Sequence, residues 1–302
     1  DLGGDIKLDQ NTFLLEPVSS ENLHNNKSVR NFWIYVEGKK AWSVAGRSAA
    51  QQAKLFDDDK EEVKLTAGIM WHQIERKSDD LGLKATVTSF VPETKDKVEL
   101  TKIEITNITD SHIKFTPTTA IPLYGRSASN IRDHRHVTSL LHRTFTVKNG
   151  IEIFPTLTFD ERGHNKNTVY YGALAKEETD GVMVSPISFC PVTEEFIGRG
   201  GNFENPYMVA KNLPLPYGIG EEIDGYETVA AMRFADAVIS PGETKTYIIA
   251  LGYGNSEEEI DKLGEKYLDT KAFDSFLEET KKYWQDKIQV SCLLYTSDAA
   301  AD

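Results

Sequence analysis

Residues 124–143, YGRSASNIRDHRHVTSLLHR, hold Arg126, Arg132, Arg135 and Arg143 together with His134, His136 and His142. Asp133 is the one acid among them, in a chain of formal net charge −13. Guanidinium and imidazole groups gathered this densely suit a bound anion, sugar hydroxyls or an acidic neighbouring surface. Scattered surface ion pairs, each worth about 0–1 kcal/mol, do not explain the clustering. Asn130, Arg132, His134, Arg135 and His136 fall between two expected strands, at a loop tip where ligand contacts collect. They are the candidate substrate-binding residues. His142 and Arg143 read as strand residues, His142 as a structural histidine.

Three other stretches carry weaker chemistry. Trp71 beside His72 has the types of a sugar-stacking pair, although strand packing explains both. Residues 198–205, GRGGNFEN, are glycine-rich but lack the strand–loop–helix setting of a phosphate cradle. Residues 159–164, FDERGH, offer two acids and a histidine, the set an epimerase needs; a polar loop is the plainer reading. No catalytic residue and no metal-ligand spacing is assigned, and no cofactor is expected.

Bulk composition bounds the class. The 302 residues are 39% apolar and 27% charged, enough for one large or two ordinary domains. The acidic balance argues against nucleic acid or anionic membrane as partners. No apolar run approaches the roughly 18 residues of a membrane span. Two cysteines, Cys190 and Cys292, form no disulfide framework, so a reducing cytoplasm is the expected compartment. The chain opens on DLGGDIKLDQ without an initiator Met, as a piece of something longer would. Residues 291–302, SCLLYTSDAAAD, break the preceding pattern and read as a non-native tail.

The positioning elements are mostly strands. Residues 32–36 and 41–43 flank a turn and read as a hairpin. Residues 63–73 read as one strand, and 85–91 as another closed by Pro92. Residues 98–100 and 103–105 alternate with a phase slip that predicts a β-bulge. Residues 113–123 form a further strand. Residues 137–147 read as a strand ending at an Asn149-Gly150 hairpin turn. Residues 168–175, 181–189, 228–234 and 243–251 complete the set. Almost no helix is expected before residue 254. The fold class is therefore mainly β, a large antiparallel β-sandwich over residues 1–254. From residue 255 the pattern turns helical. Ser256 and Glu259 make a capping box, followed by Ile260, Leu263 and Tyr267. A second helix starts near Thr270, with Phe273, Phe276, Leu277, Trp284 and Ile288 on its stripe.

The ordered set TSFVPETKDKVEL (88–100), TKIEITNITD (101–110), EEFIGRGGNFENP (194–206), ISPGETKTYIIALGYG (239–254) and KKYW (281–284) resembles the N-terminal domain of glycoside hydrolase family 94, the inverting glycoside phosphorylases. Within the family the likeness is to enzymes of 1,2-β-linked glucans. One departure is Met70-Trp71-His72-Gln73-Ile74-Glu75, where the family often shows His-Gly-x-Gly-Tyr-Thr. The resemblance implies a galactose-mutarotase-like supersandwich. It also implies a helical linker over residues 255–290 toward an (α/α)6 catalytic barrel, so that this chain alone is inactive. The whole enzyme would use inorganic phosphate as co-substrate and a β-linked oligosaccharide as substrate, and would form a homodimer. A free-standing carbohydrate-binding sandwich is the alternative, and a mutarotase-like epimerase a third.

Overall fold

Alternating residues along the chain sort into two antiparallel sheets that share one interior. The computed structural model describes residues 2–18, 27–128, 130, 139–140, 142–155 and 167–298, with side-chain surroundings as far as Ile288. The elements run β1 (Lys7–Asp9), β2 (Thr12–Phe13), β3 (Asn31–Val36), β4 (Ala41–Ser43), α1 (Ala49–Ala53), β5 (Glu62–Gly68), β6 (Trp71–Ser78), β7 (Leu83–Phe90), β8 (Val98–Asn107) and β9 (Ile113–Leu123). Then come β10 (His142–Val147), β11 (Gly150–Pro155), β12 (Tyr170–Thr179), β13 (Val182–Val184), β14 (Ser188–Val192), α2 (Thr193–Ile197) and α3 (Tyr207–Ala210). The last are β15 (Thr228–Arg233), β16 (Ala237–Ile239), β17 (Thr244–Gly254), α4 (Glu257–Tyr267) and α5 (Thr270–Asp298).

The larger sheet has the order β10-β11-β12-β17-β8-β7-β6-β5, with β13 added beside β12. The smaller has β14-β15-β9-β3-β4, with β16 beside β9. Their facing sides bury a single core. At its centre the Tyr247 ring lies 4.8 Å from Phe32 and 5.1 Å from Phe234, which joins β17 to the opposite sheet. Burying each such side chain stabilises the fold by about 1.5–3 kcal/mol. The expected mainly β sandwich with C-terminal helices is what the chain forms. Short helices α1, α2 and α3 interrupt the strand region where almost none was expected.

Several local expectations change for physical reasons. Residues 63–73 are two strands, because Met70 adopts φ 63° and the chain folds back between β5 and β6. The phase slip in β8 is not a bulge: its register with β7 and β17 is unbroken. Val98 and Leu100 pack under the helices while Ile103 and Ile105 face the sandwich interior. The helices cover only the first part of its outer face, which continues as Lys102, Glu104 and Thr106, so the apolar residues change face partway along. At the Asn149-Gly150 turn neither residue has positive φ. Glycine is needed there for a different reason: a Cβ on Gly150 would stand 2.1 Å from the Ala173 carbonyl oxygen of β12. Residues 181–189 split between β13 and β14, in different sheets.

The helices close the outer face of the larger sheet. Ser256 accepts from the Glu259 N–H at 3.3 Å, as a capping box requires. The returning Glu259 carboxylate instead takes the Asn255 N–H at 2.7 Å, one residue earlier. Ile260, Leu263, Tyr267, Phe273 and Leu277 then cover Phe90, Val98, Leu100, Leu174 and Ile248. The residue 92–97 turn fastens both helices: Asp96 accepts from Tyr267 at 2.7 Å, and Thr280 accepts from the Glu93 N–H at 3.2 Å.

One buried acid sits under this layer. Glu152 of β11 is 0% exposed, and neither carboxylate oxygen has a hydrogen-bond partner. Burial, with Asp261 and Glu257 of α4 adding repulsion, pushes its pKa up to about 8. The raised folded value means its stabilising contribution is full below the unfolded value near 4.5 and is lost as pH rises through about 8. Glu152→Gln should therefore gain stability over the parent as pH climbs through that window, by up to about 1.4 kcal/mol per pH unit. Denaturant titrations at pH 5 and pH 8 check this, and a difference that does not change with pH refutes it.

Candidate functional site

The cation-rich segment leaves β9 of the smaller sheet and re-enters at β10, the edge of the larger one. Its two ends therefore belong to different sheets. Its first part is built into the fold. Gly125 takes φ 58°, and Arg126 exchanges backbone hydrogen bonds with Phe13 at 2.9 and 3.3 Å. The Arg126 side chain is buried, stacks 4.8 Å from the centre of the Tyr124 ring and donates from Nε to the Tyr124 carbonyl at 3.1 Å. Asn130 is also buried; its Oδ1 accepts from the Ser127 N–H at 3.2 Å and the Ser127 hydroxyl at 2.9 Å. Arg132, His134, Arg135 and His136 lie outside the described residues, as do residues 159–164.

The far end of the segment splits by face. Arg143 points outward to Asp224 at 3.2 Å, half-exposed. His142 points inward, fully buried beside Gly125, with neither ring nitrogen hydrogen-bonded. Burial, and then the nearby Arg126 charge, lowers its pKa to about 3. His142 is thus a neutral core histidine in the strand where it was expected, but its ring nitrogens are not satisfied as those of a structural histidine were expected to be.

One anchor was invisible in the sequence. The Gln10 carbonyl accepts from the Ala128 N–H at 3.0 Å, and the Asn11 carbonyl accepts from Asn167 Nδ2 at 3.4 Å. Asn167 also donates to the Tyr171 hydroxyl. The turn between β1 and β2 therefore holds the flanks of both the β9–β10 and the β11–β12 connections. These contacts span more than a hundred residues of chain and use backbone acceptors, so no local motif signals them.

The remaining sequence candidates separate. Trp71 and His72 point to opposite faces of β6, so they are not a stacking pair. Trp71 packs under α5 with Lys281 Nζ 4.6 Å from its ring centre. Half-buried His72 has its pKa lowered by burial. Glu16, Lys27, Tyr124, Arg126, Thr193, Glu227 and Thr228 line a polar cavity of about 20 Å³, room for a water molecule and not for a sugar. Among the described residues no group of His, Cys, Asp or Glu is arranged to hold a metal ion. None of their helices is long and apolar enough to cross a membrane.

Two antiparallel sheets sharing a core, with helices on the outer face of the larger, make a β-supersandwich. Residues 9–270 match the Glycosyl hydrolase 94 supersandwich domain, and the chain belongs to that family. No curated protein matches the sequence. Among solved structures, a polysaccharide lyase matches at 12% identity over 84% of this chain and 30% of its own, with TM-score 0.43. The GH36 α-galactosidase AgaB from Geobacillus stearothermophilus matches at 10% identity over 84% of this chain and 34% of its own, with TM-score 0.30. The chain spans about a third of the length of these proteins.

The buried histidine gives the site an acid sensitivity. Its folded pKa is depressed, so its contribution is present above the unfolded value near 6.5 and is lost as pH falls toward about 3. The parent should lose about 2 kcal/mol more than His142→Leu between pH 7 and pH 5. Equal losses in urea titrations of the two proteins would show that His142 is hydrated or paired in solution.

Proposed function

We propose that this chain is the noncatalytic sandwich of an inverting glycoside phosphorylase that acts on β-linked gluco-oligosaccharides, with 1,2-linked glucans the first substrates to test. The family match over residues 9–270 carries the reading. In the whole enzyme, phosphate oxygen attacks the anomeric carbon from the face opposite the leaving sugar. The glycosidic bond breaks, and the departing oxygen takes a proton from a carboxylic acid on the catalytic barrel. Inversion of a β-linkage yields α-glucose 1-phosphate and a glucan one unit shorter. One carboxyl suffices, because phosphate takes the place of base-activated water.

The sandwich supplies positioning. Arg132, His134, Arg135 and His136 are assigned to the entrance wall, drawing in phosphate or bonding sugar hydroxyls, while the barrel provides the floor. Buried Asn130, expected among them, instead holds the Ser127 turn that leads into the segment. The positive segment on an acidic domain supports this, since an anion would otherwise be repelled. A cytoplasmic homodimer with no cofactor beyond the phosphate co-substrate completes the proposal.

The full-length protein should release α-glucose 1-phosphate from sophoro-oligosaccharides only when phosphate is present. Arg132→Ala and Arg135→Ala should each raise KM for phosphate or acceptor by about tenfold, the loss of one charge-assisted hydrogen bond. Their melting temperatures should not move. No sugar phosphate from any β-glucan sinks the activity, and unchanged kinetics in both variants moves the segment away from substrate.

A further inference from the structure

On the outer face of the smaller sheet, α2 and α3 frame a groove of about 850 Å³. That size is ordinary for a small-molecule site. We propose that this groove is a second, saccharide-binding site for a neutral gluco-oligosaccharide. The choice of gluco-configured sugars rests on the proposed function; the groove and its polar rim do not.

The groove has a rigid floor. Phe196 of α2 and Val209 of α3 are buried with Trp33, Ala120 and Val229 of the sheet. Gly198 ends α2 at φ 83°, and a Cβ there would lie 2.6 Å from the Tyr207 Cβ. A Cβ on Gly201 would lie 2.0 Å from the Ile197 carbonyl oxygen. The loop backbone is thus pressed onto the two helices as only glycine allows, which keeps the groove open above it.

The rim has the chemistry of sugar recognition. Tyr207 and Tyr226 are 50% and 52% exposed, and neither phenol hydroxyl has a hydrogen-bond partner among the described residues. An aromatic face covers the C–H face of a pyranose, and the phenol bonds at its edge. Between them stand Glu194, Arg199 and Asn205, whose side chains carry no hydrogen bond or ion pair among the described residues. Glu195 is held in place by the Tyr217 hydroxyl at 3.0 Å. Planar carboxylate, guanidinium and amide groups bond pairs of adjacent hydroxyls in bidentate fashion.

Charge decides the ligand class. Glu194 and Glu195 balance Arg199 and Lys211 along the lining. A phosphate dianion gains nothing from a wall of mixed sign, whereas a neutral polyhydroxylated ligand uses donors and acceptors alike.

Calorimetric titration of this chain with β-1,2-, β-1,3- and β-1,4-linked glucotetraose, in buffer without phosphate, tests the proposal. At least one should bind saturably. Tyr226→Ala and Arg199→Ala should each weaken binding by about tenfold, equivalent to about 1.4 kcal/mol. Melting temperatures should stay unchanged, and Arg132→Ala should bind as the parent does. No saturable binding by any of the three overturns the proposal, as does binding that survives both groove substitutions. Loss with Arg132→Ala alone transfers sugar recognition to the cation-rich segment and equally overturns it. If Tyr226→Ala instead changes the sedimentation coefficient while no sugar binds, the groove is a protein interface. The phosphorolysis assay is unaffected by any of these outcomes.

Discussion

Strand β17 is paired along nearly its whole length, to β8 on one side and β12 on the other, and it is buried on both faces. Its pleat sends Tyr247, Ile249 and Leu251 into the sandwich and Ile248 and Ala250 beneath the helices. Two cores therefore share one strand. Removing α4 and α5 would expose Leu100, Leu174 and Ile248 to water, so these helices are part of what makes the larger sheet stable. The same two-sided burial explains why Gly172 lies under Ile260: a Cβ there would stand 2.4 Å from the Ile260 side chain.

Much of this architecture was legible in the sequence because it rests on local periodicity. The β3–β4 hairpin, β9, β15 and the start of α4 each announce themselves within ten residues. Twice, what misled was the strand's neighbours. The β8 phase slip looked like a bulge because the helices cover only the first part of its outer face, so the apolar residues change face partway along. The Asn149-Gly150 pair looked like a positive-φ turn, yet the glycine answers to the neighbouring carbonyl of Ala173. The strand at 63–73 hid a reversal because Met70, a residue with a side chain, occupies the left-handed region.

The candidate site was legible as composition and not as arrangement. Counting cations found the segment, but burial sorts its members: Arg126 and His142 are inside, Arg143 is outside against Asp224. Family membership rests on the order of many modest motifs and not on any catalytic signature. Residues 198–205 were legible as a glycine-rich connection, but not the groove they help to line, since Tyr207 and Tyr226 are distant in sequence.

The N-terminal stretch is clasped by Arg30, which donates to the Leu2 and Gly4 carbonyls and forks onto Glu99 at 2.7 and 2.8 Å. Further along, the Asp9 carboxylate accepts from the Asn11 N–H at 2.7 Å and shapes the Gln10–Asn11 turn, and that turn offers carbonyl oxygens, not side chains, to two distant connections. Every amino acid has such an oxygen. Residues 10 and 11 are therefore free to drift during evolution while the post they form persists. The two connections, whatever their lengths become in relatives, must still return to it.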